Sequence, residues 1–245
     1  MLKGIYKAAS GMIPRVKQQE ITANNIANAS TPGFKKDAVF LKELDAAKRA
    51  VLPRQSAWQT PMIDQVYTDY SQGPFERTDN GLDLAIEGNG FFSLQSPEGD
   101  VTQYTRNGDF TIDVEGFLIN SEGYRVLGEG GPIEAGEGTV AITESGEVSV
   151  DGEAIGRLQV VDFPDKSALV KVGSSGFTVD ESVEPIPADG FSVRQGFLER
   201  ANINVIKEMV GMIIALRYFE SGAKAIQTQD ESLNALFNEV ARTRL

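Results

Sequence analysis

The sequence predicts an α+β protein: N- and C-terminal helices paired as a coiled coil, with an antiparallel, hairpin-rich all-β central domain of sandwich or barrel type. Three observations predict it. Apolar residues recur at spacings of three and four at both ends of the chain, the signature of a helical seam. Between about 76 and 190 the pattern shortens to alternating or brief apolar runs separated by glycine-containing turns. The chain has 245 residues, 41% hydrophobic and 24% charged, enough to bury a core and too apolar for a wholly disordered polymer.

The N-terminal seam runs Leu2, Ile5, Ala9, Met12, Val16, Gln19, Ala23, Ile26. Pro14 lies off this stripe but inside the pattern, so a kink or a split into two pieces is expected. The helix stops in Asn28-Ala29-Ser30-Thr31-Pro32-Gly33-Phe34, where Pro and Gly follow cap-forming residues. Residues 35–75 fit neither period. Lys35–Ala50 has the composition of a short helix, and Val51–Gln72 is polar with Pro53 and Pro61, which reads as an extended connector.

In the middle, the candidate strands are Leu82–Glu87, Phe91–Gln95, Val101–Arg106, Asp109–Asp113, Phe117–Asn120, Tyr124–Leu127, Thr139–Thr143, Glu147–Val150, Ile155–Phe163, Leu169–Val172 and Phe177–Val179. Asn107-Gly108, Glu115-Gly116, Glu122-Gly123, Ser145-Gly146 and Asp151-Gly152 mark the turns between them. Pro185 and Pro187 begin a return connector over 183–199. The last element is a helix of about 35 to 40 residues, on the order of 55 Å long. Its stripe is Met209, Met212, Leu216, Phe219, Ala223, Ile226, Leu233, Phe237, Val240, with Asp230 as the polar intruder and Asn202 or Asn204 as the cap. Neither seam is wide enough to make a core alone, so the two are expected to zip together; separate packing of each helix on the β domain is the alternative. The resulting organisation is a helical assembly domain of 1–34 plus 200–245, a connector over 35–75, a β-rich outer domain over 76–190 and the return connector.

Composition excludes much chemistry. There is no histidine and no cysteine, hence no imidazole base, thiolate nucleophile, disulfide framework or His/Cys-ligated metal. Net charge is −12, concentrated as −17 over residues 76–190 against +5 over 1–50. Such a middle repels nucleic acid and anionic lipid. Asn107–Asp113 alternates oxygen side chains but lacks the glycine and the terminal glutamate of a calcium loop, and a hairpin turn accounts for it. No phosphate-binding glycine loop opens a helix. The reading is therefore a non-enzyme with no cofactor, no metal and no small-molecule substrate. No run of about 18 apolar residues spans a membrane, and Met1–Lys7 lacks the apolar core of a secretory signal. Glutamines and asparagines on the outer faces of the two seams (Gln18, Asn24, Asn25, Gln227, Gln229) are expected to meet other subunits.

Longer strings carry a resemblance. Ala8-Ala9-Ser10-Gly11-Met12 and Ala23-Asn24-Asn25-Ile26-Ala27-Asn28-Ala29-Ser30-Thr31-Pro32-Gly33-Phe34-Lys35 resemble the N-terminal signature of bacterial flagellar rod and hook proteins. Leu82–Phe92, Tyr104–Phe110, Gln195–Glu199 and Ile226–Asp230 continue the likeness across the chain. Within this axial family the chain looks most like the proximal-rod type, on Gly128–Ile133 and Gly156-Arg157-Leu158, with the distal-rod type second. The resemblance implies a structural subunit of a hollow helical tube in the flagellar basal body. The tube transmits torque across the periplasm to the hook and passes exported subunits. Implied partners are copies of the chain, other rod and hook proteins, and the flagellum's own export apparatus, reached without a cleaved signal peptide. The expected assembly residues are Leu2, Ile5, Met12, Val16, Asn24, Asn25, Ile26, Asn28, Gly33 and Phe34 at the N-terminus. At the C-terminus they are Met209, Met212, Leu216, Phe219, Ile226, Gln227, Leu233 and Phe237. The competing reading is an independent secreted β domain, enzyme or adhesin, whose helices merely dimerise.

Overall fold

A computed structural model describes residues 2–43, 61–99, 102–136, 138–180 and 183–242, with side chains for 9–39 and 66–238 within those ranges. The chain divides into two units: residues 1–27, 37–68 and 204–245 form one, and 28–36 with 69–203 the other.

In the first unit, helix α1 spans Leu2–Ala27 and helix α2 spans Val205–Arg242, and they pack side by side. Pro14 is buried inside α1, and the helix runs through it unbroken rather than splitting. Helix α2, 38 residues long, likewise passes Gly211 and Gly222 without interruption. Its cap is Asn204, whose side-chain oxygen accepts the Lys207 N–H at 3.0 Å. Strands β1 (Asp37–Glu43) and β2 (Pro61–Thr68) pair as an antiparallel ribbon with a bulge between Phe40 and Leu41, and the ribbon packs on α1. Where a helix and an extended connector were expected, 37–43 and 61–68 thus form a strand pair. The run Ala38-Val39-Phe40-Leu41 is apolar without helical caps, and its hydrogen bonds are met only by a distant partner. Residues 44–60 of the expected connector lie outside the described residues.

The second unit is antiparallel and hairpin-rich. Its main sheet follows the order Val170–Val172, Gly176–Thr178, Thr102–Thr105, Phe91–Gln95, Arg125–Gly128, Leu118–Asn120, Phe110–Ile112. A three-stranded meander, Val140–Ile142, Glu147–Val150 and Glu153–Arg157, lies beside it in sequence. Phe91–Gln95 is the centre of the unit because both its faces are covered. Phe92 and Leu94 join the larger core with Ile86, Phe110, Leu118, Val126 and Val148. Phe91 points to the other side, into an aromatic cluster with Tyr104, Phe163 and Phe177. A strand buried on both faces reads as an unbroken apolar run, which is what Phe91-Phe92-Ser93-Leu94 is.

Three expectations change. The single strand Ile155–Phe163 is two, Glu153–Arg157 and Val160–Asp162. Between them Leu158 N–H bonds to the Gly146 carbonyl and Gln159 N–H to that of Leu127, so the chain steps from the meander to the main sheet. Asn107-Gly108 makes no hairpin: Thr102–Thr105 and Phe110–Ile112 do not pair with one another. Gly108 is there because a Cβ would collide with the Leu84 carbonyl oxygen. Asp113, by contrast, closes its turn by accepting the Glu115 and Phe117 N–H groups. The return connector 183–199 is also part of the β body. Ser192–Gln195 pairs with Leu84–Glu87, and Phe197–Glu199 with Phe75–Arg77, because Val193 is wanted in the larger core.

Candidate functional site

Helix α2 has buried or half-buried positions at Val205, Glu208, Met212, Ala215, Phe219, Gly222, Ile226, Gln229 and Leu233, with Gly211 beside Met212 also half-buried. Apart from Gly211 this is a three–four alternation, but not the stripe expected from the sequence. Met212, Phe219, Ile226 and Leu233 belong to it as expected. Met209, Leu216 and Phe237 do not: they face outward, Phe237 at 70% exposure. The small residues Ala215, 1% exposed, and Gly222 take the alternate inward places, because small side chains let two helices approach closely. Periodicity alone favours the bulkier Leu216, and it misses by one position, about 100° around the helix.

The same rotation appears on α1. Met12, Gln19 and Ile26 are half-buried, Val16 and Ala23 are exposed, and Pro14, Thr22 and Asn25 are buried. Leu2 and Ile5 lie on α1, and their side chains fall outside the described residues. Large apolar side chains remain uncovered on the helical unit: Ile206 (76% exposed), Met209, Val210, Ile213 (58%), Ile214 and Leu216 on α2, with Ile13 (70%) and Val16 on α1. A helix apolar on its inner and outer sides has a second surface to cover. Arg15 stacks its guanidinium over the outward-facing Tyr218 at 4.6 Å, a polar contact where the helices meet.

The signature 23–35 is explained by contacts inside the chain. Asn24 and Gln227 lie on exposed faces, as does Gln18 in part. Asn25, expected to face a neighbour, is 1% exposed. Its side-chain amide brackets Asp37, accepting the Asp37 N–H at 3.0 Å and donating to the Asp37 carbonyl at 2.8 Å. It is bound because the chain reverses from α1 into β1 there and leaves a backbone pair to satisfy. Asn28 accepts the Thr31 N–H at 3.1 Å in the turn that follows. Gly33 has φ of 69° and donates its N–H to the Glu199 carbonyl, so a side chain is excluded both by conformation and by the backbone of Asn107. Phe34 is buried under the Lys171 ammonium, 4.5 Å from its ring.

Lys35, Arg106 and Glu199 form a buried ionic cluster that sequence reading missed. Lys35 Nζ lies 2.5 Å from Glu199 Oε1 and donates to the Ser71 carbonyl; Arg106 Nη1 lies 3.3 Å from Glu199 Oε2. The Gly73 N–H donates to Glu199 Oε1, and Arg106 donates to the carbonyls of Ile86 and Gly88. None of the three side chains is more than 4% exposed. Burial pushes the Lys35 ammonium below its usual pKa; Glu199 opposes this and the Arg106 charge adds to it. All three residues of the cluster sit in quoted motifs, Lys35 after Gly-Phe, Arg106 before Asn-Gly and Glu199 after Gly-Phe-Leu, which is the available signal.

Among the described residues no cluster of metal-ligating side chains occurs, and no helix is long and apolar enough to cross a membrane. Three family descriptions match the chain: "Flagella basal body rod protein" over residues 5–35, "Flagellar hook protein FlgE/F/G D1 domain" over 85–150, and "Flagellar basal body rod FlgEFG protein C-terminal" over 194–239. A flagellar basal-body rod protein FlgG of Borreliella burgdorferi is 33% identical across 97% of this chain and 98% of its own length. The chain belongs to the flagellar basal-body rod family. FlgG of Bacillus subtilis is 32% identical over 97% of this chain and 99% of itself. FlgF of Caulobacter vibrioides is 32% identical over 94% and 95%. This rod protein is accordingly a structural subunit of the basal body and not an enzyme, which removes the secreted-enzyme reading. Relatives named FlgG and FlgF match almost equally well, so membership stands at the level of the rod family.

Proposed function

We propose that the rod protein assembles with copies of itself and with other rod and hook proteins into a hollow helical tube. Helices α1 and α2 pair as a coiled coil, and their uncovered apolar faces dock on neighbouring subunits, while the acidic β-rich unit faces outward. The observation that carries this reading is the set of exposed large apolar side chains on α2 between Ile206 and Leu216, together with Ile13 and Val16 on α1. Among the expected contact residues, Met209, Leu216, Phe237, Val16 and Gln227 then bond to neighbours, while Met212, Phe219, Ile226 and Leu233 hold the helix pair together. A heterologous contact of this kind, repeated without closure, builds a filament. The tube is read as the periplasmic rod, of proximal type, carrying torque to the hook and passing subunits delivered by the flagellar export apparatus without a cleaved signal peptide.

Ile213→Asp with Leu216→Asp tests it. Both side chains are exposed in the single chain, so the purified variant should keep its helix content and Tm. Each charge costs several kcal/mol when an interface covers it, and the variant should be missing from isolated basal bodies and leave cells non-motile. Normal incorporation would refute the docking face.

A further inference from the structure

The chain enters or leaves the β-rich unit at four points, Asn28, Lys36, Asp69 and Ile203. Within that unit the segments next to these ends are bonded to one another. Asn202 donates its side-chain amide to the carbonyls of Asp69 (2.7 Å) and Ser71 (3.1 Å), and accepts the Lys36 N–H at 2.8 Å. The Asp69 N–H donates to the Lys36 carbonyl at 2.9 Å, and the two side chains face each other at 3.5 Å. Arg200 reaches the Ser30 carbonyl at 3.1 Å, beside the Asn28 end. Immediately behind these contacts lies the Lys35–Glu199–Arg106 cluster, joining the same segments again through Ser71 and Gly73. The backbones approach so closely that a Cβ on Gly73 would strike the Arg200 carbonyl oxygen.

We propose that Lys35, Glu199, Arg106 and Asn202 form a clasp that holds the segments 33–36, 69–73 and 199–202 of the β-rich unit in one fixed register. The chemistry of the cluster fits this purpose better than generic cohesion. An apolar plug of equal volume would bury comparable surface yet tolerate sliding of 33–36 past 199–202. The Lys35 ammonium and the two-sided Glu199 carboxylate instead accept one register, since a shift of one residue leaves a charge without water or partner.

Hydrogen exchange on the isolated full-length chain tests the clasp. The amides of Gly33, Lys36, Asp69, Gly73 and Asn202 should exchange within about tenfold of those in the central strand Phe91–Gln95, opening only when the unit unfolds. Linker-like behaviour, with exchange at these amides about a hundredfold or more faster, would overturn the proposal. Whatever overall stability it loses, Glu199→Gln should make these amides exchange about a hundredfold or more faster than Phe91–Gln95 of the same variant; a ratio that stays within about tenfold would equally overturn it. Asn202→Ala, at the half-exposed rim of the clasp, supplies the same comparison should Glu199→Gln not fold. Failure here leaves the docking face intact, and normal incorporation of the aspartate pair leaves the clasp intact.

Discussion

Glu199→Gln is the sharpest perturbation of the β-rich unit. The amide keeps the size of the side chain and one oxygen able to accept the Gly73 N–H, but removes the carboxylate in contact with two buried cations. Lys35 and Arg106, 1% and 4% exposed at their side chains, are left without their counter-ion. Breaking a buried pair in this way costs about 3–5 kcal/mol. A domain of this size loses roughly 2–4 °C of Tm per kcal/mol, so a drop on the order of 10 °C is expected. Against a total stability of about 5–15 kcal/mol that is a large share. Urea unfolding followed by the near-ultraviolet signal gives the free energy, with an unchanged m-value showing that the native state has not expanded. Adding Lys35→Met should recover part of the loss, because it removes one stranded charge. A cost under about 1 kcal/mol for Glu199→Gln alone would show that water reaches the cluster, and the argument from desolvation would fail.

Other outcomes follow from the same contacts. Lys35 has its folded pKa lowered by burial from 10.5, so between that lowered value and 10.5 the unfolded chain binds more protons; stability contributed by this group rises with pH through that window. Lys35→Met should flatten that rise in Tm measured at constant ionic strength. Asn25→Ala leaves the Asp37 N–H and carbonyl without their side-chain partner, at about 1–3 kcal/mol, and should appear as faster exchange at Asp37 and along β1 with the second unit unaffected.

The sequence by itself determined the class and most of the β body. Phe91–Gln95 and Glu147–Val150 match their expected bounds because an apolar run between turn pairs has few other places to go. The long C-terminal helix was equally plain, since 38 residues carry no proline and their apolar spacing repeats throughout. Motif resemblance located the family. Tertiary structure alone decided three things. It chose Ala215 and Gly222 over Leu216 as the inward positions of α2, because close approach of a second helix rewards small side chains, a quantity absent from hydrophobic spacing. It turned 37–43 and 61–68 into strands and drew 192–199 into the β body, because each found hydrogen-bond partners far away in the chain. And it brought Lys35, Arg106 and Glu199 together across separations of up to 164 residues: charges with no local partner look like surface in a sequence and become structure only when folding removes their water.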